Sequence, residues 1–220
     1  VETKRISLGD DVQPIYEEIE DYISETYKQS QKLLTGKEKN ALGFVMTTYQ
    51  QRLTSSINAI QKSLQRRQER IDTKESEITD KLFELSEDRD VTEATLEKVV
   101  GQKQIDAYTP SSGEAMSIIQ SEKQALNDFV DDLQSLTNDP KLTQLRNDIR
   151  SFERRGKDKV IIFTQYTDTL EYIRDALVQT HSEVGTYSGD GGYEYDKNDD
   201  SWHEVGKEAI TQRFKSGEVR

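Results

Sequence analysis

Four polar residues, Thr164, Gln165, Tyr166 and Thr167, follow directly on the apolar run Val160, Ile161, Ile162 and Phe163. A run so rich in β-branched residues reads as a buried strand. A strand that ends in such groups and turns into a helix puts them, with the helix's unpaired amides, at the carboxyl edge of a sheet. That is where α/β proteins take ligands and phosphates. Ser188, Gly189, Gly191 and Gly192 form a second candidate, a loop whose amides can approach a phosphate because glycine permits close contact and positive φ. Lys62, Arg66 and Arg70 recur every fourth residue with Arg67 beside them, so one helix face can track a nucleic-acid backbone. Each has a plainer reading: Thr167 as a helix cap, Phe163 as core, the glycines as turn formers, the cations as a solvated face balanced by Glu69.

Other chemistry is excluded by what the chain lacks. With no cysteine there is no disulfide, no cysteine-ligated zinc and no thiol nucleophile. His181 and His203 have no partners at metal-ligand spacing. Asp196, Asn198 and Asp200 begin like a calcium loop, but Ser201 and Lys207 stand where that loop needs Gly and Glu. No Gly-x-x-x-x-Gly-Lys-Ser/Thr loop cradles phosphates and no Asp-Glu pair holds magnesium, so the chain is expected to carry no catalytic residues, metal or ATP site of its own.

The elements that must position these residues are mostly helices. Ile15, Ile19, Tyr22, Ile23 and Tyr27 recur at spacings of three and four, the mark of one buried helix face. Gly36 and Gly43 read as a break. A second stripe then runs through Val45, Met46, Tyr49, Leu53, Ile57, Ile60 and Leu64, and extends through Ile71, Ile78 and Leu82 towards Leu85. A short helix is expected near Thr92–Val100 and a loop around Thr109–Ser112. Ser111 and Glu114 make a capping box for a helix carrying Ile118, Ile119, Leu126, Phe129, Val130 and Leu133. Asp139–Pro140 opens another through Leu142, Leu145, Ile149 and Phe152.

After Lys159 the pattern changes to strand (Val160–Phe163), helix (Leu170, Ile173, Leu177) and strand (Val184–Tyr187), which implies a parallel βαβ unit. A loop over Ser188–Asp200 and a helix with Val205, Ile210 and Phe214, ending at Gly217, complete the reading. The expected fold is mainly α-helical, a bundle of long helices over residues 1–150, with an incomplete βαβα unit over 151–220. Two strands leave sheet edges open, so the next strand is expected after Arg220.

A hydrophobic fraction of 32% and a mean hydropathy of −0.87 point to narrow buried stripes instead of one thick core. No apolar run approaches the length of a membrane helix and no signal-peptide pattern opens the chain, so a soluble, cytoplasmic protein is expected. The net charge of −12 repels nucleic acid on average, so any nucleic-acid contact must concentrate its cations locally.

The run DPKLTQLRNDIRSFERRGKDKVIIFTQYTDTLEYIRDAL resembles the opening of the second RecA-like lobe in Swi/Snf-type, superfamily-two DNA translocases. YSGDGG followed by KEAITQRF resembles that family's Gly-containing loop and Arg-x-x-x-Ile-x-x-Phe helix. Upstream, GFVMTTYQQRLTSSINAIQKSLQRRQERI is similar to the inter-lobe helical segment, with its Arg-Leu-x-Ser-Ser element and basic stretch. Lys207 departs from the family's arginine at the head of the last helix, and a lysine lacks arginine's bidentate fork.

The resemblance implies a fragment of a helicase-like motor. Residues 1–150 would be a helical insertion that braces the lobes or contacts DNA, and 151–220 the truncated second lobe. ATP and magnesium would belong to the parent protein, whose first lobe and duplex DNA would be the partners. Thr164, Gln165, Tyr166 and Thr167 would be the motif numbered four, along the nucleic-acid track, with Ser188, Gly189 and Lys207 beside them. A helical interaction module without enzymatic activity and an RNA-helicase lobe are the rival readings.

Overall fold

The computed structural model describes residues 3–34, 36–70 and 113–220. The expectations for Ile71–Leu85, Thr92–Val100, Thr109–Ser112 and the capping box at Ser111 lie outside the described residues. Among those described, the chain is mostly helical with a small antiparallel sheet. It divides into a unit spanning Ser7–Asp139 and one formed by residues 3–6 with Pro140–Arg220. No described helix is long and apolar enough to cross a membrane.

The first unit contains α1 (Gly9–Leu33), α2 (Gly36–Ser55), α3 (Ile57–Arg70) and α4 (Gly113–Ser135). Its core is the set of stripes legible in the sequence. Val12, Ile19 and Ile23 of α1 meet Leu42, Val45, Met46, Tyr49 and Leu53 of α2, Ile60 and Leu64 of α3, and Leu126, Phe129, Val130 and Leu133 of α4. Each such side chain contributes about 1.5–3 kcal/mol on full burial. The α1 stripe does not continue through Tyr27, which is 42% exposed; the buried face passes instead through Thr26 and Ser30. The break falls at Leu34, and Gly43 lies inside α2, where a Cβ would meet the Gln31 amide and Tyr27 ring at 3.3 and 3.4 Å.

The second stripe is not one helix. Ser56 interrupts it: its Oγ accepts the Ala59 N–H at 3.0 Å, the bond of an N-cap to the third residue of a new helix. The interruption sits beside two arginines that are fully buried, Arg52 and Arg67. The Arg52 guanidinium donates to Ser63 Oγ, which donates in turn to the Ala59 carbonyl. Burying a guanidinium is tolerated only where its donors meet oxygen atoms, and the small hydroxyls of α3 supply one.

The second unit begins with α5 (Pro140–Arg154), starting where Asp139–Pro140 predicts. It ends in a Schellman turn: Gly156, at φ +73°, donates to Glu153 O, and Lys157 N–H reaches back to Phe152 O at 3.0 Å. Then follow α6 (Thr167–Leu177), β1 (Gly185–Tyr187), β2 (Gly192–Asp196), β3 (Ser201–Glu204) and α7 (Lys207–Ser216). Gly217, left-handed, closes α7 as expected.

The sheet corrects the parallel βαβ expectation. Its order is β1-β2-β3 and both pairings are antiparallel, with Thr186 opposite Tyr193 and Glu194 opposite His203. The expected loop over Ser188–Asp200 is two-thirds of a meander. Val160–Phe163 joins no ladder. It does alternate like a strand: Val160 and Ile162 pack against the Ile149, Leu177 and Val184 cluster, whereas Ile161 and Phe163 are 59% and 90% exposed. Phe163 is therefore not core in this structure. The physical reason is local. A hairpin closes over a few residues at small entropic cost, and β2 takes the edge of β1 that it meets first.

The meander and α7 interlock at Gly192. Its carbonyl accepts both Val205 N–H and Gly206 N–H, and a Cβ there would lie 2.4 Å from Gly206 O. Backbone cannot yield as a side-chain tip can. Gly192→Ala is therefore expected to lower the melting temperature of the C-terminal unit more than Gly156→Ala. The latter meets no neighbour and costs only the left-handed backbone, about 1–2 kcal/mol. In the helical unit, Ser56→Ala should cost about 1 kcal/mol through the lost cap. Thermal unfolding followed by circular dichroism reads all three.

Candidate nucleic-acid interface

The structure sorts the sequence candidates into three places. Thr164, Gln165, Tyr166 and Thr167 lead into α6. Gln165 and Thr167 are exposed and Thr164 half-buried, with Thr164 Oγ1 accepting the Tyr166 N–H at 3.4 Å. Tyr166 is 2% exposed, so its ring is packing and does not present a contact. It occupies the N-cap position of α6 with no side-chain cap bond, so Thr167 is the first helical residue and not the cap. Asp168, buried in the first turn, follows it. A carboxylate there suits the helix dipole and competes with a bound phosphate.

Ser188, Gly189 and Lys207 are brought together. The hairpin tip closes through Ser188 N–H to Gly191 O at 2.9 Å and Asp190 N–H to Ser188 Oγ at 3.1 Å. Lys207, the first residue of α7, lays its ammonium 5.5 Å from the Tyr187 ring centroid and donates to Gly189 O at 3.3 Å. Tyr187 is 58% exposed, so lysine and ring form an open cation and π-face pair at the surface. Nucleic acid engages such a pair by phosphate contact and stacking. Asp190 and Glu208 are exposed nearby in sequence and oppose an anion.

Lys62 and Arg66 lie half-buried on α3, and Arg66 reaches Ser63 Oγ at 3.5 Å. Arg67, next to them, points into the core. The Arg70 side chain lies outside what is described. The helix face thus divides: one cation of the run is structural, and the others lie in a separate unit from Lys207.

One grouping was missed by the sequence reading. Across the β2–β3 turn, ligand atoms of Asp196, Asp199 and His203 all lie within 4.8 Å of one another. His203 Nε2 is 2.8 Å from Asp199 Oδ2 and 2.9 Å from Ser201 Oγ. The residues are not at a familiar ligand spacing; the antiparallel pairing of β2 with β3 gathers them. Asp196 holds the turn by accepting Asn198 N–H, and Tyr195 donates to Asp200, which sits at φ 55°. All three ligands are exposed and already share hydrogen bonds within the turn, so turn closure accounts for them.

Packing fixes this hairpin against α6 and α7. The Arg174 guanidinium lies 4.8 Å from the Trp202 ring centroid, Tyr195 stacks at a tilt on Trp202 at 5.5 Å, and Arg213 of α7 pairs with Glu194 of β2. No known family, curated protein or solved structure matches the chain.

Ser201 and, more weakly, His203 donate to the Asp199 carboxylate and hold its pKa below the usual carboxylate range. The Tyr195 phenol is raised, chiefly by its bond to Asp200. A lowered carboxyl pKa stabilises the fold above the unfolded value of about 3.9, and that contribution is lost as pH falls through the lowered value. The raised phenol contributes below about pH 10, a contribution lost as pH rises through the folded value. Trp202, the chain's one tryptophan, reports on this turn. Its fluorescence should change at both the acid and the alkaline extreme, and Asp199→Asn should remove most of the acid limb.

Proposed function

We propose that the chain is part of an ATP-driven duplex-DNA translocase of the Swi/Snf type. In this reading Pro140–Arg220 opens a RecA-like lobe and the helical unit is the insertion that precedes it. ATP and magnesium belong to the complete motor, whose first lobe is the other partner. Within the chain, Gln165, Thr167, Ser188, Gly189 and Lys207 are the groups offered to the DNA backbone, and Lys62, Arg66 and Arg70 those offered by the insertion.

The observation that carries the reading is at the free edge of β1. Arg220 N–H donates to Glu183 O at 2.9 Å, and Val219 is buried against Gly185. The chain therefore leaves β1, passes through the hairpin and α7, and returns to the opposite edge of β1. A strand, a helix and a return to the same sheet make the crossover from which open α/β lobes are built. Val160–Phe163, which alternates like a strand and keeps one bare apolar face but joins no ladder, is the segment that would supply the further strand of such a lobe. This order matches the runs that resemble the family, from the Asp139–Pro140 helix to KEAITQRF.

The test is binding of a labelled duplex DNA by fluorescence anisotropy across a salt series. Wild type should bind with an affinity that falls as salt rises. Lys207→Ala should weaken binding several-fold and make the slope of log K against log salt shallower by about one unit, the share of one phosphate. Absence of binding at low salt, or equal preference for an RNA duplex of the same sequence, would sink the duplex-DNA reading.

A further inference from the structure

In a chain of net charge −12, residues 141–159 hold seven basic residues against three acidic ones. The acids there are largely engaged. Asp148 is held by Lys4 and Gln144, which keep its carboxyl below the usual range, and Glu153 lies 3.3 Å from His181. Among the cations, Arg146 donates to Ala176 O and Lys159 to Lys215 O. Arg150, Arg154 and Lys157 are exposed, and no described residue gives their side chains a hydrogen bond or ion pair. Arg155 is exposed too, but its position is set: Nε donates to Ser151 O at 3.2 Å and the guanidinium lies 5.0 Å from the Phe152 ring centroid.

These groups are also pre-arranged. Arg150 and Arg154 stand one helical repeat apart on α5, about 6 Å along its axis, hence on one face. The Schellman turn at Gly156 then fixes the direction in which Lys157 leaves the helix. The row lies before Val160–Phe163 in the chain and the Thr164–Thr167 stretch after it, so the row belongs to a different segment from the candidate contacts described above.

We infer that the outer face of α5 and its closing turn, through Arg150, Arg154, Arg155 and Lys157, form a second contact for the phosphate backbone of duplex DNA. Three of the four are arginines, whose planar fork binds phosphate oxygens bidentately. A rod carrying one charge per about 1.7 Å of axis keeps a whole row of cations engaged in any register, whereas an acidic peptide must match it side chain by side chain. The excess acid elsewhere does not cancel the row at physiological salt, because the screening length is about 8 Å. The choice of DNA as the polyanion rests on the function proposed above; the cationic face does not. A basic last turn also suits the helix dipole, but Arg150 lies outside that turn.

The experiment compares the whole chain with Arg150→Glu/Arg154→Glu/Lys157→Glu, a neutral Gln triple variant, and Lys207→Ala. Labelled duplex DNA is the probe, with salt varied between about 50 and 200 mM. Circular dichroism melting confirms that each variant folds. The face predicts that both triple variants lose at least tenfold in affinity at low salt, with a slope shallower by about two to three units. Triple variants that melt lower yet keep the wild-type slope would reduce the row to helix capping and overturn the inference. So would polyglutamate competing as well as unlabelled duplex. If the triple variants weaken binding and Lys207→Ala does not, the α5 face stands and the Lys207 site fails; the reverse result leaves the proposed function and removes the face.

Discussion

The C-terminal unit depends on the two edges of one three-residue strand. A strand's backbone groups must find partners on both sides or face water. In β1 the groups of Val184 and Thr186 turn towards β2, which takes them through Tyr195 and Tyr193. The alternate groups turn the other way, and Arg220 meets the first of them at Glu183. Around this strand α6, α7 and the side chains of Val160 and Ile162 collect, because Val184, Ile149 and Leu177 form an apolar cluster there. The positions of Lys207 and the Ser188–Gly191 tip follow. Gly192 must be glycine so that the end of β3 can fold onto it and α7 can begin where it does.

Charge is distributed in a way the net value conceals. The acidic turn Asp196–Asp200 and the basic segment around Arg154 belong to the same unit, yet their balances are opposite, three acids against Lys197 in the one and seven bases against three acids over residues 141–159 in the other. Over distances beyond about 8–10 Å in physiological salt they act independently. A net charge of −12 thus says little about either surface. What decides is whether each cation is already paired, and the division is sharp: Lys4, Arg174 and Arg213 are committed to carboxylates, whereas Arg150, Arg154 and Lys157 are not.

The helical unit was legible wherever burial alone selects residues. The stripes through Val45–Leu64 and Leu126–Leu133 reappear as core because a 3.6-residue period has one reading. Where a polar atom decides, the sequence misled. Ser56 splits a continuous stripe since its hydroxyl caps a new helix, and Tyr27 yields its place to Thr26 and Ser30. The sheet was less legible still. An apolar β-branched run such as Val160–Phe163 announces extended backbone but not a partner, and pairing is set by which edge closes first. Gly192 looked like loop and is a strand start, since close approach to Gly206, invisible in one dimension, requires it. Likewise His203 meets Asp199 only once the meander exists.

The element Arg-Leu-x-Ser-Ser shows why resemblance and role must be kept apart. Its arginine, Arg52, is wholly buried and donates to Ser63; its leucine, Leu53, is core; its last serine, Ser56, starts α3. None of the three faces solvent, so the element is a helix joint, stiffened by a buried guanidinium that has no good alternative to its oxygen partners. A joint of this kind sets the direction of α3 relative to α2 and hence where Lys62 and Arg66 stand on the unit. The motif therefore serves any nucleic-acid contact at one remove. It positions the cations of α3, and the cations carry whatever binding there is.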